Sequence, residues 1–367
     1  ESGDLIYVYY GAMPAFTYYA PTYGITDKDS VVEGQSKRQQ YEAYLQDIDR
    51  MTHHPRVWFV FSHNCGWCQV DEEAYFIEHL DQIGIQINHF PGVDADAYLY
   101  NLSAGIAPTR TPADAVGLYE PARGVFKLKN RNLDSNPGIS LVFGPSGNAG
   151  LVPITGDWTG SGTTKVGLYD PVAGMFYLRA TNTSGAPNLT FQFGPANSAL
   201  IPIAGDWTGS GTTSVGLYDP IRSVFMLKNT LQSESVDSQF QFGPANSGFI
   251  PITGDWTGSG TTSVGLYDPI GSVFMLKNTL RSGPADATFQ FGPARGGFIP
   301  ITGDWDGNGT VTIGLYNPTQ SVFILRNTNT RGGSDVSFEY GLGNSGWQPI
   351  VGHWTNRLVA SSPLAGS

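Results

Sequence analysis

One short phrase returns five times along this chain. Val or Ile followed by Gly-Leu-Tyr, an acidic or amide residue and Pro places Tyr119, Tyr169, Tyr218, Tyr267 and Tyr316 at spacings of 50, 49, 49 and 49 residues. A second phrase, Gly-Asp-Trp, keeps step with it at Asp157, Asp206, Asp255 and Asp304, and Gly352-His353-Trp354 takes the fifth place. Self-similarity at a fixed period of this length marks an architecture of repeated units, none of which buries its apolar face alone.

Each copy holds four strand-like runs, such as Val215 to Tyr218, Val224 to Lys228, Gln239 to Phe242 and Phe249 to Ile252. Between them lie turn formers: Asp219-Pro220 suits a type I turn, and Thr257-Gly-Ser-Gly260 supplies residues that tolerate positive φ. The composition agrees, with 47 glycines and only 14% charged residues against a usual value of about 25%. Four antiparallel strands in about 49 residues make one blade of a β-propeller.

Pro153, Pro202, Pro251, Pro300 and Pro349 recur inside the first run of each copy. Proline donates nothing to a ladder and belongs on an edge strand, so this run is expected innermost, facing the central channel. The repeats begin at Val116 with a second strand and end near Trp354 with a first strand. The run Trp347 to Trp354 therefore completes the blade begun by residues 116 to 143. This predicts a closed five-bladed propeller over 116–358, with a tail at 359–367.

Gly303-Asp-Trp-Asp-Gly-Asn-Gly-Thr310 and its relatives resemble the Gly-Asp-rich loops of FG-GAP and VCBS-type repeats of bacterial surface propellers. The resemblance covers residues 116–354 and implies a cell-surface or secreted setting, with lectin, adhesion and scaffolding roles all known for the fold. It also implies Ca²⁺ held by oxygens at alternate positions. Asp304, Asp306 and Asn308 keep three such positions, and Thr312 replaces the last Asp. The other loops carry hydroxyls instead, as in Asp206, Thr208 and Ser210, so a single Ca²⁺ at the 304 loop is the most the pattern allows, and no other cofactor is expected. Trp158, Trp207, Trp256, Trp305 and Trp354 recur in register. Sugar-binding propellers use such faces against pyranose rings, and equivalent weak sites add by avidity; packing between blades is the other reading.

Residues 1–103 alternate strand and helix patterns and predict a small α/β domain, joined to the propeller by a linker at 104–115. Strands are expected at Leu5 to Tyr10, Val57 to Phe61, Ile85 to Phe90 and Ala97 to Leu102, and helices at Ser36 to Met51 and Asp71 to Ile83. Cys65-Gly-Trp-Cys68 follows a strand and precedes a helix. That placement suits a thioredoxin-like redox pair, but the following Gln69-Val-Asp-Glu-Glu73 is acidic where a thiolate needs positive charge, and a local disulfide between Cys65 and Cys68 is expected. The segment from Leu5 to Tyr19, with Arg56 to His63 and Tyr98 to Leu102, is similar to the soluble C-terminal domain of bacterial membrane glycosyltransferases that use polyprenol-linked sugars. The catalytic groups of those enzymes lie in a membrane part, so the resemblance places no catalytic residue here.

The net charge is −11. Residues 1–115 hold 16 acidic and 6 basic residues and the remainder 15 and 14, so the acidity belongs to the first domain. No Lys/Arg cluster offers a footprint for phosphate backbones, which excludes nucleic acid as an expected partner. No apolar run reaches membrane-spanning length. The start Glu1-Ser2-Gly3-Asp4 suggests a processed or excised portion, with membrane association only through a segment absent from this chain. The expected function is an extracytoplasmic, non-enzymatic binding or scaffolding module that presents a repeated surface to glycans or cell-surface components. The alternatives are an accessory domain of a membrane glycosyltransferase and a thiol oxidoreductase fused to a propeller.

Overall fold

The computed structural model describes residues 3–25, 30–36, 42–62, 72–92, 95–103, 113–132, 138–147, 150–233 and 235–354. The chain divides into two compact units, Glu1–Pro112 and Ala113–Ser367.

In the first unit, five strands form one sheet in the spatial order Val31–Glu33, Leu5–Val8, Val57–Ser62, Ala95–Asn101, Ile85–Pro91. The first three are parallel and the last two run antiparallel as a hairpin. Tyr7, Phe59, Phe61, Tyr98 and Tyr100 meet Ile48 and the apolar face of the helix Glu72–Ile83 in one buried cluster. Asp4 anchors the outset of the sheet: Arg56 Nε donates to it at 2.7 Å and Trp58 Nε1 at 2.8 Å. The Arg56 guanidinium holds its carboxyl far below the usual range. The expected helix from Ser36 is described over Glu42–Asp49. A helix at Met13–Tyr19 and the short strand Val31–Glu33 had no periodic signal and are additions by the fold.

The second unit is mainly β: five blades of four antiparallel strands arranged as a propeller. Its blades are numbered here in chain order by their second strands: blade 1 at Ala115–Glu120, blade 2 at Lys165–Asp170, blade 3 at Ser214–Asp219, blade 4 at Ser263–Asp268 and blade 5 at Thr312–Asn317. The closing strand is Gln348–Gly352, which pairs antiparallel with Ala115–Glu120 in the register Gln348 to Tyr119 and Gly352 to Ala115. The proline-bearing strands lie at the inner edge of each sheet, each paired within its sheet to the second strand alone. They also meet each other around the ring: Thr253 Oγ1 donates to Ala204 O at 2.8 Å, Thr302 Oγ1 to Thr253 O at 2.7 Å and Thr155 Oγ1 to Val351 O at 2.8 Å.

The second strands are buried along five consecutive residues, because both faces are covered by neighbouring blades. The repeated Tyr of each is 0 to 1% exposed. In blades 3 to 5 its hydroxyl meets a serine held at positive φ, as in Tyr267 to Ser272 at 3.0 Å, and that serine donates onward to Phe291 O at 2.5 Å. In these three blades the chain thus buries a phenol in the core while satisfying its polar atom.

Candidate functional site

The Gly-Asp-Trp phrase sits where each inner strand turns outward into the second strand, and each residue of it has a distinct task. A Cβ on Gly254 would lie 2.5 Å from the Trp256 ring and 2.6 Å from Val311 Cγ1 of the next blade. Glycine is needed there for close approach of an indole and a neighbouring blade. The five tryptophans are 3 to 8% exposed. Trp207, Trp256 and Trp305 donate through Nε1 to Val215 O, Val264 O and Ile313 O at 3.1 to 3.2 Å. Trp158 and Trp354 belong to the same kind of buried cluster. These rings are packed between strands, so none offers an open face.

The aspartate closes the loop and the seam at once. Asp206 Oδ1 accepts from Thr208 N, Thr208 Oγ1, Ser210 N and Ser210 Oγ, and Oδ2 accepts from Gly211 N at 2.6 Å. Its own N–H donates to Thr262 Oγ1 of the next blade at 3.0 Å, and Thr262 N donates back to Asp206 O at 2.8 Å. The pair recurs between Asp157 and Thr213 and between His353 and Thr164. At the seam between blades 4 and 5, Val311 replaces the threonine and only the backbone bond remains among those described. At the seam between blades 5 and 1, Asp114 replaces it, accepting from Asp304 N at 2.9 Å. Burial pushes the Asp114 carboxyl up to about 7; the Asp304 N–H opposes the rise and the Asp304 charge adds to it.

At the 304 loop, Asp304 accepts from Asn308 N and Gly309 N, Asp306 Oδ2 accepts from Asn308 Nδ2, and Asn308 Oδ1 accepts from Thr310 N. Thr312 turns its hydroxyl to Gly303 O, away from these groups. The oxygens of Asp304, Asp306 and Asn308 are gathered in one loop but engaged by its own N–H groups. Three such side chains supply fewer than the six to eight oxygens that Ca²⁺ takes. Among the described residues no cluster of three or more His, Cys, Asp or Glu side chains is suited to a metal.

The loop tips are open. Thr159, Ser161, Thr208, Ser210, Thr257 and Ser259 are exposed hydroxyls flanked by glycines at positive φ. Because every blade enters its second strand through this loop, the equivalent groups lie on one face of the ring. A second repeat escaped the sequence reading: Val172, Ile221 and Ile270 follow the proline of the opposite turns and are 60 to 63% exposed. Equal spacing after Asp-Pro was the available signal. Cys65, Cys68 and His63 lie outside the described residues. Ser62 ends its strand buried. No helix among the described residues is long and apolar enough to cross a membrane.

The chain matches no known family model and no curated protein. Among solved structures it is similar to one titled as the basis of recognition of non-reducing terminal N-acetylglucosamine by an Agrocybe aegerita lectin, at 12% identity and a TM-score of 0.37, over 68% of this chain and 74% of that one. A structure of BBS1N in complex with ARL6DN gives 7% identity and a TM-score of 0.31, over 71% and 74%.

Proposed function

We propose that this chain is an extracytoplasmic binding or scaffolding module whose propeller presents repeated loops to glycans. The observation that carries the reading is the near equivalence of the loops at Asp157, Asp206 and Asp255, each placing two exposed hydroxyls among glycines on one face of the ring. A face rich in neutral donors and acceptors, on a unit with almost no net charge, suits a neutral, repetitive polymer of hydroxyl groups. Sites too weak to hold singly then add by avidity. The buried tryptophans frame the loops, while the exposed hydroxyls make the contacts. The resemblance to FG-GAP and VCBS repeats supports the surface setting.

The test is a glycan array probed with the full chain, beside a variant carrying Thr208→Arg and Thr257→Arg, which obstructs two loop tips without entering the core. Binding to a polymeric glycan that falls to background in the variant is the expected result. No glycan above background, or undiminished binding by the variant, overturns the reading.

A second reading rests on the first unit. The segments similar to membrane glycosyltransferases, Leu5 to Tyr19 and Arg56 to His63, supply the adjacent parallel strands Leu5–Val8 and Val57–Ser62 at the centre of its sheet. On this reading the chain is the soluble accessory part of such an enzyme and positions an acceptor near the bilayer. Cell fractionation with an antibody to this chain separates the two: an alkali-resistant membrane form supports the second, and a freely released form the first.

A further inference from the structure

Lys165 stands alone among its equivalents. The residue that opens the second strand is Ser214 in blade 3, Ser263 in blade 4, Thr312 in blade 5 and Ala115 in blade 1. In blade 2 it is a lysine that is 7% exposed. Its ammonium turns back into the preceding loop, donating to Ser161 Oγ at 2.7 Å and to Thr163 O, with Asp157 Oδ1 at 3.8 Å. Burial lowers the lysine's affinity for its proton and the Asp157 charge opposes that.

The same oxygens exist in blades 3 and 4 without the ammonium. In blade 3, Ser210 Oγ reaches towards the carbonyl that Lys165 takes in blade 2, with Thr212 O at a long 3.5 Å, and donates to Asp206 Oδ1 at 3.2 Å. The residues in the lysine's place, Ser214 and Ser263, are each 5% exposed, and their hydroxyls have no hydrogen-bond partner among the described residues. A buried hydroxyl left unpaired is costly, so these two ask for a partner. The oxygens around the ammonium in blade 2, one carboxylate, one hydroxyl and one carbonyl, recur in blade 3 at Asp206, Ser210 and Thr212. One carboxylate balances a single positive charge, and three oxygens are too few for Ca²⁺.

We infer that the loops of blades 3 and 4 are sites for a small monovalent cation of the ammonium or potassium class, and that blade 2 fills its own with the tethered ammonium of Lys165. The occupant of blades 3 and 4 would take Asp206 Oδ1, Ser210 Oγ and Thr212 O, beside the buried Ser214, and the equivalent set from Asp255 to Thr261. This inference stands whether or not the rim binds glycans.

The experiment compares melting temperatures of the full chain in ammonium chloride and in tetramethylammonium chloride, at about 0.2 M each; the second cation is too large for the cage. Lys165→Ser gives blade 2 the residue that blades 3 and 4 already carry, and Ser214→Lys with Ser263→Lys fills the two open cages. The difference between the salts should be largest in Lys165→Ser, smaller in the parent and smallest in the double variant, by on the order of 2 °C per open cage. An equal difference in Lys165→Ser and the parent overturns the inference, since that comparison requires no new lysine to fit.

Discussion

At the scale of single residues, the repeated phrases are packing instructions more than ligand sites. Trp256 is enclosed by its own blade and the next, so Trp256→Ala should cost about 3 to 5 kcal/mol in urea unfolding, the range for removing a buried aromatic. Ser272 bridges Tyr267 and Phe291 O. Ser272→Ala leaves a buried phenol and a carbonyl short of a partner, and a loss of about 1 to 3 kcal/mol is expected by the same measurement. At the 304 loop, Ca²⁺ calorimetry should give either no heat or a stoichiometry near one that Asp306→Thr abolishes. A stoichiometry of four would mean that the hydroxyl-bearing loops bind it as well.

At the scale of elements, three of the five seams carry a two-way bond between Asp157, Asp206 or His353 and the threonine before the next second strand. The seam between blades 4 and 5 lacks the side-chain half, because Val311 has no oxygen to offer Asp255 N. Val311→Thr is close to isosteric and restores it, so a gain of about 0.5 to 1.5 kcal/mol is expected from the unfolding midpoint. The inner strands can carry proline because their outer edge faces the channel and pairs with no further strand of the sheet.

At the scale of the molecule, closure depends on the last strand and on the seam at Asp114. Deleting residues 345–367 removes the inner strand of blade 1 and should lower the melting temperature of the whole propeller. An unchanged melting temperature would refute that strand's part in closure. Burial in the fold pushes the Asp114 carboxyl up to about 7, from an ordinary value of 3.8. Its folded form therefore keeps a proton that the unfolded chain has lost, and stability should fall as pH rises from about 4 through 7. Asp114→Thr installs the residue used at three other seams and should flatten that dependence, as read from urea midpoints across the range.

The sequence by itself determined the architecture. Period, turn residues and the placement of the prolines fixed five four-stranded blades, and the phase of the repeat fixed closure by the C-terminal strand. Local chemistry suffices for that, since each strand and turn answers to its neighbours along the chain. In the first unit the helix Met13–Tyr19 and the strand Val31–Glu33 were not legible, being too short to show a period; the strand owes its form to pairing with Leu5–Val8. Only the tertiary structure decided what the repeated side chains face. Whether a tryptophan opens to solvent, which threonine answers each aspartate, and where the Lys165 ammonium comes to rest all depend on contacts between groups distant along the chain. Asp114 and Asp304, 190 residues apart, meet only because the ring closes, and a sequence period carries no record of that distance.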